Sequence, residues 1–226
     1  MAEMKLFQYN SSAFKAYLKE HTHEAAEVKF LQSIAEEGMN ALDIGGHIGI
    51  TAITIAKKIG KDGLVYSFEP VPEYLDILKK NIAHNKIKNI KVFNKAVTNR
   101  VETSDFYQDG GGSSIVPKEG IEKFSVKTTA IDVFLDEEKI DKIDLINMDS
   151  EGAELLVLKG AEKTLRRNKV KIFCEIHHGF LSHFNQSAKD IVDYLQKLNY
   201  EVKNVSLNDL SMDENFDKPE YIYAHN

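Results

Sequence analysis

The chain has 226 residues, 42% of them hydrophobic, which is long enough to bury a substantial core as one α/β domain spanning residues 1–226. Its net charge of -6 is interspersed, and with no basic stripe a nucleic-acid backbone is excluded as the expected partner. The single cysteine, Cys174, excludes an internal disulfide and fits a reducing, cytoplasmic setting; residues 1–10 lack a secretory core, and no run approaches the roughly 18 apolar residues that cross a bilayer.

Residues 1–38 read as a helical extension. Phe14, Tyr17 and Leu18 recur at helical spacing, as do Val28, Leu31 and Ala35, and Gly38 is a helix stop. His21 and His23 stand two apart, so a helix turns them to different sides and they read as plain exposed histidines. Met39-Asn-Ala-Leu-Asp-Ile-Gly-Gly-His-Ile-Gly-Ile-Thr51 follows, a short buried strand, a glycine turn and the start of a helix. Turn chemistry at 60–63 leads to a strand at 64–68 that Glu69-Pro70 ends. Pro72 opens a helix with Tyr74, Leu75 and Leu78 as its apolar stripe, and 90–93 is a third strand. This β-α-β-α-β order predicts a mostly parallel sheet with helices on both faces.

From 104 to 129 the helical period disappears. Phe106-Tyr107, 114–116 and 124–127 read as short strands, the first two joined by Gly110-Gly-Gly-Ser-Ser114. This hairpin-like insertion is either a surface linker or a lid that brings Ser113 and Ser114 to a substrate. Regular order then resumes. A strand at 143–148 ends at Asp149, and Ser150 is the expected N-cap of a helix carrying Leu155, Leu158, Ala161 and Leu165. A strand at 170–176 runs into His177-His178. Ser187 and Asp190 form a capping pair ahead of Ile191, Tyr194, Leu195 and Leu198, and 202–205 and 221–223 are the last strands.

The glycine turn does not fit a phosphate. A P-loop needs Lys-Ser or Lys-Thr after its last glycine, and Gly49 is followed by Ile50. The G-x-G-x-x-G dinucleotide pattern fails in every register, which sets a dehydrogenase or kinase far behind. Asp43 at the mouth of the turn would repel a pyrophosphate and attract an ammonium group. Glu69, at the carboxyl end of the next strand, is placed to accept hydrogen bonds from both hydroxyls of a ribose. An amino-acid end and a ribose without phosphate describe S-adenosylmethionine (SAM).

The stretch 42–51 resembles motif I of class I methyltransferases. Phe68-Glu-Pro-Val-Pro72 with Leu78 and Asn81, then Ile143-Asp-Leu-Ile-Asn-Met-Asp-Ser-Glu-Gly-Ala-Glu154 continuing through Val157-Leu-Lys-Gly-Ala161, resembles the FkbM family in particular. The resemblance covers about 41 to 177. It implies a Rossmann-like class I fold with a mostly parallel seven-stranded sheet, and SAM-dependent O-methylation of a sugar-like, glycan or other small-molecule hydroxyl. It implies that Asp43, Gly45, Gly49 and Glu69 bind SAM, within a motif that includes Gly46, His47 and Thr51, and that adenine contacts fall near Asn94 and Ala96. His47 and Ser150 depart from the family's usual Asn and Val or Ile.

A sugar hydroxyl is a poor nucleophile, so a base or a metal ion must take its proton. Asp149 and Glu151 lie at one strand end, and Glu175, His177 and His178 at another. Glu175 and His177, two apart, share a face if the strand continues. Asp149, Glu175 and His177 are the catalytic candidates, with His177 as base; Glu151 and His178 are substrate candidates. A divalent metal on Asp149, Glu175 and His177 is the other arrangement. Glu151 and Glu154 also read as first-turn acids complementing a helix dipole. The competing function is a non-catalytic SAM-binding or interaction module on the same fold.

Overall fold

The computed structural model describes residues 22–109 and 112–226. The expected helix at Phe14, Tyr17 and Leu18, His21, and Gly110 with Gly111 lie outside them. The first described helix, α1, is Thr22–Ile34; then come β1 (Asn40–Ile44), α2 (Ile50–Ile59), β2 (Leu64–Phe68), α3 (Pro72–His84), β3 (Ile90–Phe93) and β4 (Ala96–Val97). They are followed by β5 (Thr103–Tyr107), β6 (Lys123–Thr129), α4 (Ile131–Glu138), β7 (Leu145–Met148), α5 (Glu154–Lys159), α6 (Glu162–Arg167) and β8 (Lys171–Glu175). The chain closes with α7 (His178–Leu181), α8 (Ala188–Lys197), β9 (Glu201–Ser206), β10 (Ser211–Asp213) and β11 (Tyr221–His225).

The main sheet has the order β10-β9-β11-β8-β7-β1-β2-β3. From β3 to β8 every pairing is parallel, and β11 enters antiparallel between β8 and β9. The sheet has eight strands rather than seven. β10 is three exposed residues paired antiparallel to β9, too short and polar to show an alternating pattern in the sequence. Ser187 forms the expected capping box with Asp190 at the start of α8. Ser150 caps no helix, because α5 starts later, with Ala153 at its N-cap.

Side chains alternate across each strand, so neighbours feed opposite cores. Leu42 and Ile146 pack with Leu158, Leu165, Ile191 and Leu195, under α5, α6 and α8. Ala41 and Leu145 pack with Phe30, Leu31, Ile55, Ile59 and Leu78, under α1, α2 and α3. The aromatic centre of the first core is Phe134 on α4, edge-on to Phe68 and Phe93 at 4.8 Å each. It is 1% exposed, so Phe134→Ala leaves a cavity and is expected to destabilise by about 3–5 kcal/mol. Urea unfolding checks this as a lowered midpoint at an unchanged slope.

Register positions the site. Ile44 stands level with Phe68 on one side and Met148 on the other, and Met148 is level with Cys174. The next residues, Gly45, Glu69, Asp149 and Glu175, therefore leave the sheet at one edge. β1 is the switch point where the strand order reverses, the place where open α/β sheets bind ligands. A small sheet, β4-β6-β5, stands apart, with β5 and β6 antiparallel. They are the two long strands of the insertion; of the expected strand at 114–116 only a bridge from Ser114 to Tyr107 forms.

Candidate active site

The turn after β1 is built by close contact. A Cβ on Gly45 would lie 1.9 Å from the Asp149 carbonyl oxygen, and one on Gly46 would lie 2.3 Å from Ser67 Oγ. Gly49, at φ 95°, leaves room for Leu78. Asn81, fully buried on α3, donates to the Ile48 carbonyl at 2.7 Å and ties the turn to that helix.

Asp43 lies beneath the turn, not at its mouth. It is fully buried, and its carboxylate accepts from Ser67 Oγ at 2.7 Å, from Asn147 Nδ2 at 3.0 Å and from Thr51. Burial raises its pKa and these donors oppose the rise. Asp43 and Thr51 therefore hold the turn, and neither lines the cavity.

Glu69 does line it. It is 4% exposed; Oε2 accepts from His47 N and Oε1 from Val71 N, each at 2.7 Å. Each oxygen keeps lone-pair capacity for one further donor. Burial, against the two backbone bonds, pushes its pKa up to about 7. Asn94 faces away from the cavity and donates to the Glu69 and Pro70 carbonyls at 3.0 and 2.9 Å, holding the loop that carries Glu69. Lys95, Ala96 and Val97 form the wall where Asn94 was expected to contribute. His47, at φ 43°, stacks edge-on to Tyr74 at 4.4 Å, and burial lowers its pKa, which favours a neutral ring.

These residues surround a cavity of about 260 Å³, near the lower end for small-molecule sites. Gly45, His47, Glu69 and Ala96 line one part; Asp149, Glu151 and Glu175 line another. Phe106, Ser113 and Ile115 of the insertion also reach the wall. Ser114 does not: it is buried in the bridge to Tyr107, and its Oγ accepts from Val116 N.

His177 is the hub of the acidic end. Its Nδ1 is 2.9 Å from Glu154 Oε1, and its Nε2 is 3.6 Å from Asp149 Oδ1, 3.5 Å from Glu151 Oε1 and 3.7 Å from Glu175 Oε1. Burial pulls its pKa down, but the Glu154 bond and the charges of Asp149 and Glu151 outweigh it and hold it at about 10. The surrounding carboxylates thus favour the protonated ring of His177. This environment works against His177 as the base and leaves the carboxylates around it as the other candidates. Burial and the neighbouring Glu175 push Asp149 well above the carboxylate range, and burial pushes Glu151 to about 7.

The backbone explains the convergence. β8 ends at Glu175, and His177 stands at the N-cap of α7, so the pair meet across a bend rather than on one strand face. Glu151 and Gly152 both have positive φ, at 49° and 100°, in a turn closed by Ala153 N on the Ser150 carbonyl. A Cβ on Gly152 would meet Phe180 at 2.5 Å. His178 points elsewhere, its Nε2 2.8 Å from the Pro219 carbonyl. Glu154, read in the sequence as a dipole acid, is fully buried and bonds both Gly152 N and His177. An acid opening so apolar a helix was the available signal. Tyr221 and Glu27, hydrogen-bonded behind Glu175, gave none.

The glycine turn after the first strand, the acid after the second and this strand order define the class I SAM-dependent methyltransferases. The structure of a Bacillus cereus O-methyltransferase in complex with SAH shares the fold at TM-score 0.57 and 16% identity, over 88% of this chain and 80% of that one. FkbM methyltransferase from Methylobacillus flagellatus superposes at 0.56 and 18% identity, over 83% of this chain and 43% of that one.

The chain belongs to the FkbM methyltransferase family: residues 43–202 match the Methyltransferase FkbM domain. The hexuronic acid methyltransferase AglP of Haloferax volcanii is 26% identical over 191 residues, 84% of this chain and 73% of that protein. A protein-L-isoaspartate O-methyltransferase of Methanothrix thermoacetophila is 34% identical over 56 residues, 25% of this chain and only 27% of that protein. No described helix is long and apolar enough to cross a membrane.

Proposed function

We infer that the protein transfers the methyl group of SAM to a hydroxyl of a sugar-like acceptor. The observation that carries this is one continuous cavity with Glu69 at one end and the carboxylates around His177 at the other. The chain fits the cofactor. Gly45 and His47 bring backbone to the wall, and the two Glu69 oxygens are free to accept the ribose hydroxyls. Asp43 and Asn94 act beneath them, fixing the turn and the loop. SAM, when bound, supplies a methyl group already activated on a sulfonium, so the chain's task is mainly positioning and proton removal.

The acceptor's proton leaves to a carboxylate at the Asp149–Glu151–Glu175 end, directly or with a cation's help. Glu175 also borders a second depression of about 710 Å³, lined by Lys29, Asn204, Ser206, Asn208 and Lys218. Amides, hydroxyls and ammonium groups suit a polyhydroxylated acceptor, and the relative AglP is a hexuronic acid methyltransferase. The carboxylates at the transfer end disfavour a phosphodiester acceptor. In this reading residues 1–226 form one methyltransferase unit, and 104–129 are a lid whose Ser113 closes over the acceptor.

Incubation with methyl-labelled SAM and a panel of hexuronic acids, neutral sugars, glycolipids and phenols tests the reading. A labelled O-methyl sugar is expected; label only on a phenol, or on no acceptor while SAH binds, goes against it.

Glu69 also predicts a pH dependence. Its raised pKa means a proton is held below about pH 7, and ribose donors need the carboxylate. Binding must then expel that proton, so SAH affinity should fall up to tenfold per pH unit as pH drops below 7. Calorimetry between pH 5.5 and 8 measures it, with Glu69→Gln expected to flatten the profile.

A further inference from the structure

We propose that Asp149, Glu151 and His177 form a binding site for one first-row divalent cation, with Glu154 positioning the histidine. The proposal deepens the methyltransferase reading and rests on it for its purpose, but not for its geometry.

One oxygen each of Asp149 and Glu151 and one ring nitrogen of His177 lie within 4.8 Å of one another. The nitrogen is Nε2, 3.6 Å from Asp149 Oδ1 and 3.5 Å from Glu151 Oε1. Neither separation is a hydrogen bond. A cation about 2.1 Å from each donor holds adjacent donors roughly 3.0–3.5 Å apart, so both nitrogen–oxygen separations stand within a few tenths of an ångström of that spacing. Asp149 Oδ1 is shut off from solvent and accepts no hydrogen bond among the described residues.

The other ring nitrogen is already committed. Nδ1 lies 2.9 Å from Glu154 Oε1, whose residue is fully buried and locked by Gly152 N at 2.9 Å. With Nδ1–H held by this carboxylate, a cation that displaces the Nε2 proton meets a lone pair aimed outward, the usual support for a metal-bound histidine. The positive-φ turn at Glu151 and Gly152 points Glu151 to the same spot. Lys118 of the insertion faces Glu151, but its Nζ is engaged by Asp109 at 2.9 Å and sits over the Phe180 ring. It does not fill the gap between the three donors.

Two carboxylates and an imidazole suit Mn²⁺, Co²⁺ or Zn²⁺ better than Mg²⁺ or Ca²⁺. Held by these residues, a cation would supply Lewis-acid polarisation of an acceptor hydroxyl at the carboxylate end of the cavity. The O–H bond breaks and its proton passes to Glu175, whose Oε1 lies 3.7 Å from Nε2. The oxygen then forms its bond to the SAM methyl carbon as the C–S bond breaks, and that electron pair stays on sulfur, giving SAH.

The test is titration of the whole chain with Mn²⁺, following free Mn²⁺ by electron paramagnetic resonance. One ion per chain is expected, weakened at least tenfold by Glu151→Gln and by His177→Gln. Glu154→Gln is expected to weaken it about 10–100-fold, as loss of a ligand's support does. Circular dichroism and SAH binding in EDTA confirm that each variant is folded. Absence of stoichiometric Mn²⁺ binding, or binding that these three changes leave alone, overturns the proposal. Undiminished methyl transfer in EDTA also overturns it while leaving the methyltransferase reading intact; loss of SAH binding in the wild type would strike that reading instead.

Discussion

Gly45→Ala should remove both SAH binding and a large part of the protein's stability. Two costs combine. At φ 85° an added Cβ is strained wherever it points, on the order of 1–2 kcal/mol. This Cβ would also lie 1.9 Å from the Asp149 carbonyl oxygen, which is backbone and cannot rotate away. The edges of β1 and β7 would have to part at the point where the cavity begins. Gly38 separates the two costs: its φ is 82°, yet an added Cβ meets nothing within 4 Å. Gly38→Ala is therefore expected to cost about 1 kcal/mol and leave SAH binding unchanged, and Gly45→Ala more than about 3 kcal/mol with binding lost. Urea unfolding and calorimetry on the pair decide it. Equal effects would mean that the close approach to Asp149 matters little.

Glu69→Ala is expected to weaken SAH by a hundredfold or more at pH 8. Two hydrogen bonds to a charged acceptor are worth about 1.5–3 kcal/mol each, and both are lost. The change also leaves His47 N and Val71 N without the carboxylate they share. Glu69→Gln separates these contributions. Its amide oxygen keeps one acceptor, so an intermediate loss is expected. Gln is spared the desolvation of a buried charge, but its amide nitrogen leaves either His47 N or Val71 N without an acceptor, so a stability loss of about 1–3 kcal/mol is expected. Full affinity in Glu69→Ala would remove the ribose role from this residue.

Much of the cofactor half was legible because it is local. A glycine turn needs glycines, and Glu69 follows a strand whose end could be read from Pro70. Parallel register then places successive strand ends together. What the sequence could not show was orientation set by distant contacts. Asp43 looks like a mouth residue until Asn147, on a strand 104 positions away, takes its carboxylate from the neighbouring strand. Asn94 precedes the cavity wall but turns back to the Glu69 and Pro70 carbonyls.

The acidic end was legible as a set and not as an arrangement. Strand periodicity put Glu175 and His177 on one face; they meet because the strand ends between them. Glu154 looked like a helix-dipole acid because its partner, His177, comes from β8's far end, and burial made that pair a fixed support. β10 and the short β4 carry too few residues for any period, and α4 buries only Ile131, Phe134 and Leu135 across its eight residues.

The most direct test is the crystal structure of the chain soaked with SAH. The ribose hydroxyls are expected on the two Glu69 oxygens, the adenine against Ala96 and Val97, and the sulfur facing Asp149. SAH seated elsewhere, with the Glu69 carboxylate still held only by His47 and Val71, would contradict it.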